Sequence, residues 1–218
     1  MSEVSAGEMR EPRVAALLRD AAAWRLLGLL LERPREGWRQ EVEALAREAS
    51  DPEAGAAAEA ARAEAAEGRY LALFGPGGAV SPREVTYRGM EDPGRILGDI
   101  MAFYEAFAFQ PQTEEAPDHL AVEAGFLGYL CLKLAYARAR GQEAEAEVAE
   151  RAAERFREAH LATFAWPLAE RLVLADARYL SLTANAVARR SGPRRDGQGK
   201  GTIPPQIIED CSLECGGA

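Results

Sequence analysis

Across residues 121–140 the sequence sets Phe126, Leu127, Tyr129, Leu130, Leu132, Leu134 and Tyr136 all round one helix, with few charges between them. A helix that is apolar on every side is stable only when other elements bury it on every side. Whatever this chain becomes, it must therefore surround 121–140 with further packing partners. Immediately upstream lies a polar run, Glu114-Glu115-Ala116-Pro117-Asp118-His119-Leu120. Pro117 suits the first turn of a helix, where its missing N–H would have no partner. Glu114, Glu115 and Asp118 crowd the positive end of the helix dipole. The spacing predicts a central apolar rod with Asp118 and His119 held at its mouth.

The partners for that rod are legible as further helices. Pro12 opens a segment in which Val14, Leu17, Ala21, Trp24, Gly28 and Leu31 recur at helical spacing, ended by Arg33-Pro34. A shorter amphipathic segment covers 36–48. Asp51-Pro52 is a cap followed by a first-turn proline and launches an alanine-rich helix to about Phe74. Asp92-Pro93 repeats that signal ahead of Ile96, Ile100, Phe103 and Phe107. Residues 143–165 place Val148, Ala152, Phe156, His160 and Phe164 four apart, and Trp166-Pro167 reads as a break. Beyond it Leu168, Leu172, Ala175, Tyr179, Leu182 and Ala186 form a bundle seam. Residues 75–91 are the one long irregular stretch in the body of the chain. No stretch alternates like a strand. The expectation is all-α: a single-domain bundle of about seven helices over 1–190, with a flexible Gly-, Pro-, Arg- and Gln-rich tail over 191–218. A chain of 218 residues with 48% hydrophobic content can fill such a core.

The formal charge of −9 and an isoelectric point near 5.0 argue against nucleic acid as a partner, since phosphate binding needs concentrated Lys and Arg. They suit a basic peptide. Three cysteines, Cys131, Cys211 and Cys215, make no disulfide framework and point to a reducing compartment. Residues 1–11 lack the apolar core of a secretory signal, and Lys133 interrupts the longest apolar run. A cytoplasmic protein without stable membrane insertion is expected.

Individual residues offer little catalytic material. Asp118 and His119 could act as acid and base, but neighbours on a helix point about 100° apart and cannot form a simple dyad. His160, between Phe156 and Phe164, reads as a core histidine. Cys211 and Cys215 match no four-ligand zinc spacing. Gly75-Pro76-Gly77-Gly78 lacks the Lys-Ser/Thr of a P-loop, and Gly199-Lys200-Gly201-Thr202 has no strand before it. Arg189-Arg190 and Arg194-Arg195 read as solvated tail charge. No enzyme activity, cofactor or metal is expected.

Two blocks carry more. Tyr70-Leu71-Ala72-Leu73-Phe74-Gly75-Pro76-Gly77 precedes Ser81-Pro82-Arg83-Glu84-Val85-Thr86-Tyr87, and Glu115-Ala116-Pro117-Asp118-His119-Leu120 follows an aromatic-rich segment. Together they resemble the signature of the TorD/DmsD/NarJ family of molybdoenzyme maturation chaperones, over roughly 14–190. Arg83 and Val85-Thr86 depart from that pattern. The resemblance implies an all-helical chaperone that binds the N-terminal or signal region of a molybdopterin oxidoreductase catalytic subunit. Such a chaperone holds the apoenzyme for cofactor insertion before export or assembly. By position, Tyr70, Phe74, Pro82, Glu84 and Tyr87 would form or brace one wall of a groove, with Glu115, Asp118 and His119 as its acidic hinge. A twin-arginine signal pairs two cations with an apolar helix, so carboxylates beside an apolar groove fit it. A helical adaptor with no role in cofactor loading and a nucleotide-binding helical protein are the competing readings, and a homodimer is left open.

Overall fold

The computed structural model describes residues 3–194, with side chains from Pro12 onward. Of the tail expected over 191–218 only residues 191–194 are described; the rest, with Cys211 and Cys215, lies outside the described residues. Within them the architecture is helical: α1 (Glu3–Leu30), α2 (Trp38–Ala49), α3 (Pro52–Glu64), α4 (Glu67–Phe74), α5 (Pro93–Ala106), α6 (Leu120–Arg140), α7 (Glu143–Phe156), α8 (Ala162–Leu174) and α9 (Arg178–Ser191). No strand is present among the described residues, only an isolated antiparallel bridge between Arg83 and His119.

The two proline-marked starts hold for a plain reason. Asp51 Oδ1 accepts from the Ala54 amide and Asp92 Oδ1 from the Gly94 amide, each at 2.8 Å, so a free N–H in the first turn is satisfied. Pro12, by contrast, lies inside α1 rather than opening it. The helix expected to run on to Phe74 is two, α3 and α4, broken at Ala65-Ala66 where the backbone turns extended.

The central rod is α6, and its most extensive contact is with α1. Glycines make that approach possible. A Cβ on Gly28 would stand 2.8 Å from the Ala121 carbonyl oxygen, and one on Gly128 would stand 3.1 Å from the Ala21 oxygen. Backbone therefore packs on backbone, and Leu26, Leu27, Leu30, Phe126 and Leu130 fill the space on either side. α2 docks on α1, with Trp38 Nε1 donating to the Leu29 carbonyl at 2.8 Å. α9 lies on α3 and α8, and α7 closes the other flank of α6. Burial of α6 is incomplete near its end, where Leu132 and Tyr136 are 49% and 57% exposed. By length and composition α6 could cross a membrane; 72% of its most apolar window is instead buried inside the bundle.

The break expected at Trp166-Pro167 lies earlier. Steps of four residues drift about 40° per step round an α-helix, so the series from Val148 to Phe164 would turn through about 160°, wider than one apolar stripe. A π-turn, Arg157–Leu161, interrupts the series; Phe156, His160 and Phe164 are buried, while Val148 at the other end is half exposed. Pro167 then sits inside α8. The seam expected to run unbroken from Leu168 to Ala186 is a hairpin instead: α8 ends at Leu174, and Asp176 takes a positive φ of 51° before α9 begins.

Candidate functional site

The two sequence blocks meet. Residues 82–84 and 118–120 pair as a short antiparallel bridge, with the Glu84 amide donating to the Asp118 carbonyl at 2.9 Å and the Leu120 amide to that of Pro82 at 3.0 Å. The irregular stretch is thereby fixed to the mouth of α6, and Glu84–Tyr87 closes it as a single 3-10 turn. Pro117 lies before the helix rather than in it, where its carbonyl accepts from the Tyr104 hydroxyl at 2.9 Å.

The buried carboxylates are held by internal partners. Asp118, fully buried, receives Arg83 Nε and Nη2 on Oδ1 at 2.8 Å and the Val85 amide on Oδ2 at 3.3 Å. Glu84, also fully buried, accepts from Arg88 Nη1 at 2.8 Å and from His160 Nδ1 at 2.9 Å. Arg83, a departure from the family pattern, thus has a clear local task. Together these bonds tie the 3-10 turn to α6 and to the π-turn. A ligand reaching Asp118 or Glu84 directly would have to displace them.

His119 caps α6. Its Nδ1 accepts from the Ala121 amide at 3.0 Å, which leaves the ring proton on Nε2. Nε2 faces the Tyr70 hydroxyl at 3.4 Å, and that hydroxyl donates its single hydrogen to Glu115 Oε1 at 2.7 Å. Burial, reinforced by the Arg83 charge and opposed by Asp118, holds the imidazole down to about 3, so it is neutral near pH 7. Burial and the bond to Glu115 push the Tyr70 phenol far up. Neither group is a proton donor or acceptor suited to catalysis near neutrality.

The eight residues singled out from sequence therefore divide. Tyr70, Phe74 and Glu115 line one open cleft, with His119 behind Tyr70. Pro82, Glu84 and Asp118 are buried in the joint between the blocks. Tyr87 turns toward α8, its ring 5.8 Å from that of Phe164 and beneath the Arg171 guanidinium. The hinge and the wall are contiguous, but only three of the eight side chains face the cleft.

That cleft has a volume of about 650 Å³ and lies between residues 32–36, α4 and residues 112–115. Leu71 and Phe74 give it an apolar wall. Glu36, Glu114 and Glu115 present carboxylates to it, while Arg33 and Arg35 are engaged by Glu67 and Glu41. The local balance is negative next to exposed apolar surface.

Two residues of the site were not singled out from sequence. Glu123, one turn into α6 from His119, is fully buried and neither carboxyl oxygen has a hydrogen-bond partner. Burial and the neighbouring charges of Glu84 and Asp118 raise its carboxyl well above the usual range, which favours the neutral acid. Its signal was present: a lone carboxylate in an apolar helix, four residues after His119. Arg88, four residues after Glu84, holds that carboxylate and also the Ala159 carbonyl at 2.8 Å. Among the described residues, no group of three or more His, Cys, Asp or Glu side chains is placed to hold a metal ion.

Known proteins match the same region. A profile of the nitrate reductase delta subunit matches residues 32–170, more than half the chain, and both sequence blocks lie inside it. The chain is 38% identical over 122 residues to the selenate reductase assembly chaperone protein of Thauera selenatis. It is 35% identical over 122 residues to the chlorate reductase assembly chaperone protein of Ideonella dechloratans. Each alignment covers 53% of this chain and 62% of the relative. No solved structure matches at a significant level.

Proposed function

This chain belongs to the nitrate reductase delta subunit family, and from that premise we propose that it is an assembly chaperone for the catalytic subunit of a molybdopterin oxidoreductase. It acts in the cytoplasm, catalyses no reaction itself, and binds the N-terminal or signal region of the client until the cofactor is in place. Support for the chaperone role comes from two relatives named as reductase assembly chaperones. Support for the mode of binding comes from one observation: the cleft beside Tyr70 and Phe74 sets the carboxylates of Glu36, Glu114 and Glu115, the last held by the Tyr70 hydroxyl, against an apolar wall. Two adjacent arginines followed by an apolar run match both halves of that surface.

The proposed roles are local. Glu114 and Glu115 take the guanidinium groups, and Phe74 and Leu71 take the apolar run. Asp118, Glu84 and Arg83 position the loops that carry these side chains. Calorimetry with a synthetic peptide pairing two arginines with an apolar run tests the reading, beside a control with both arginines replaced by glutamine. A charge-assisted contact contributes about 1.5–3 kcal/mol, so Glu115→Gln is expected to weaken binding roughly tenfold or more. Equal affinity for both peptides would remove the carboxylates from the mechanism.

A further inference from the structure

A second cleft, also of about 650 Å³, opens between α5 and α7 and shares no lining residue with the cleft beside Tyr70. Along α5 it is lined by Asp99, Ala102, Phe103, Ala106 and Phe107, and along α7 by Val148, Arg151, Ala152 and Arg155. Both series follow the i, i+3, i+4, i+7 rhythm of one helix face, so two faces look at each other across the space. Phe103 crosses beneath it, its ring 5.2 Å from that of Phe156, and makes the floor with Phe107. The alanines are too small to fill the gap above that floor; Ala102 and Ala106 are exposed, and Val148 is half exposed. Two helix faces held apart by small residues form a trough that a third helix can enter, ridge into groove. From Val148 to Arg155 and on to Ala159 the trough runs roughly 16 Å, about three helical turns.

Charge says which helix. Arg88, Arg151 and Arg155 line the cleft against a single carboxylate, Asp99. Arg88 is engaged by Glu84 and Glu91, whereas Arg151 and Arg155 are exposed, and Arg151 meets exposed Glu147 only at 3.4 Å. A contact of that kind is weak and easily exchanged for another carboxylate. In a chain of net charge −9, a basic rim round an apolar floor runs against the overall sign, and it is opposite in sign to the cleft beside Tyr70. Its complement is an apolar ridge flanked by carboxylates.

We propose that the α5–α7 cleft docks an acidic amphipathic helix of a partner protein. The apolar face of that helix, presented at i, i+3, i+4 and i+7, meets Phe103, Phe107 and Val148, and its flanking Asp or Glu side chains pair with Arg151 and Arg155. The arginines supply the selection: a basic apolar segment meets like charge at this rim and is turned away. Because the two clefts have opposite signs and no residue in common, the chain can hold two different segments at once.

Fluorescence anisotropy with the full-length protein and a designed, labelled helical peptide tests this. The peptide carries leucine at i, i+3, i+4 and i+7 with glutamates on either side, and its control has every glutamate replaced by glutamine. The protein is expected to bind the glutamate peptide about fivefold more tightly than the glutamine peptide, the size that two exposed ion pairs supply. R151E/R155E should abolish that preference and R151K/R155K should keep it, both with unchanged helical content by circular dichroism. Val148→Asp, at an exposed position, should weaken both peptides about tenfold, since it removes apolar contact from the trough. An unlabelled twin-arginine peptide should displace neither. Absence of binding, equal affinity for the two peptides, a preference that survives R151E/R155E, or displacement by the twin-arginine peptide would each overturn the proposal. A dimer in sedimentation velocity that Val148→Asp dissolves would overturn it too, by assigning the cleft to a second copy of this chain.

Discussion

His119 and Glu123 stand one turn apart at the start of α6, both buried, and their surroundings move their protons in opposite senses. His119 is held to about 3, against 6.5 for a free imidazole, so its contribution to stability is present above pH 6.5 and lost as pH falls toward 3. Glu123 is raised above the ordinary 4.5, so its contribution is fully present below that value and lost as pH rises through its folded value. Between pH 7.5 and 5.5 the histidine alone should remove about 1 kcal/mol. His119→Asn keeps a capping acceptor that never titrates, so its urea midpoint should fall less over that range than the wild type's. Glu123→Gln replaces a neutral acid by a neutral amide of the same shape. As pH rises above 4.5 its melting temperature is expected to stay flatter than that of the wild type. Parallel pH profiles for wild type and variant would mean that these two groups do not carry the dependence. The sequence displayed both residues, but the sense of each shift comes from complete burial, and for Glu123 also from Glu84, 39 positions away in the chain.

At the scale of elements, the loop of residues 81–88 is ordered mainly by what lies across from it. Asp118 binds Arg83 and the Val85 amide, and the adjoining backbone bridge adds two further bonds. Asp118→Ala removes the acceptor while leaving the helices' own bonds untouched. It is expected to cost about 1–3 kcal/mol in urea unfolding, with helical content preserved. Amide exchange at Glu84 and Val85 should quicken in that variant, and any loss of peptide affinity should accompany that loosening. Unchanged exchange at both amides would show that the bridge holds the loop without Asp118. Helix identity was legible because the apolar spacing and the Asp-Pro starts are local signals, and α6, α5 and α3 follow them. The joints were not. Neither the π-turn at Arg157–Leu161 nor the α8–α9 hairpin, which turns at a positive φ on Asp176, is encoded in four-and-three spacing. The approach of α1 to α6 through Gly28 and Gly128 was likewise hidden, since a glycine at helical spacing reads as a gap until its opposite backbone is known.

For the whole molecule, the two sequence motifs meet in one joint, and of their side chains Tyr70, Phe74 and Glu115 line the adjoining cleft. Glu84 was expected in the wall of a groove and Asp118 in its acidic hinge; both are buried, where Arg83 and Arg88 pair with them and His160 adds a hydrogen bond to Glu84. At the cleft Glu36 and Glu114 are exposed, and Glu115 is half-buried and held by the Tyr70 hydroxyl, within a chain of net charge −9. Exposed charge of this kind acts on encounter more than on residence. At an ionic strength of 0.15 M the screening length is about 8 Å, so raising salt from about 0.05 to 0.5 M should strip away most of the steering. For the twin-arginine peptide, stopped-flow fluorescence is expected to show the association rate falling several-fold over that range, with a smaller change in dissociation. Glu114→Gln, at an exposed position, should lower the low-salt association rate and flatten its salt dependence. Phe74→Ala should instead speed dissociation, because it removes packing rather than field. If both substitutions act on dissociation alone, the carboxylates work as close contacts and the long-range charge of the chain has no part in capture.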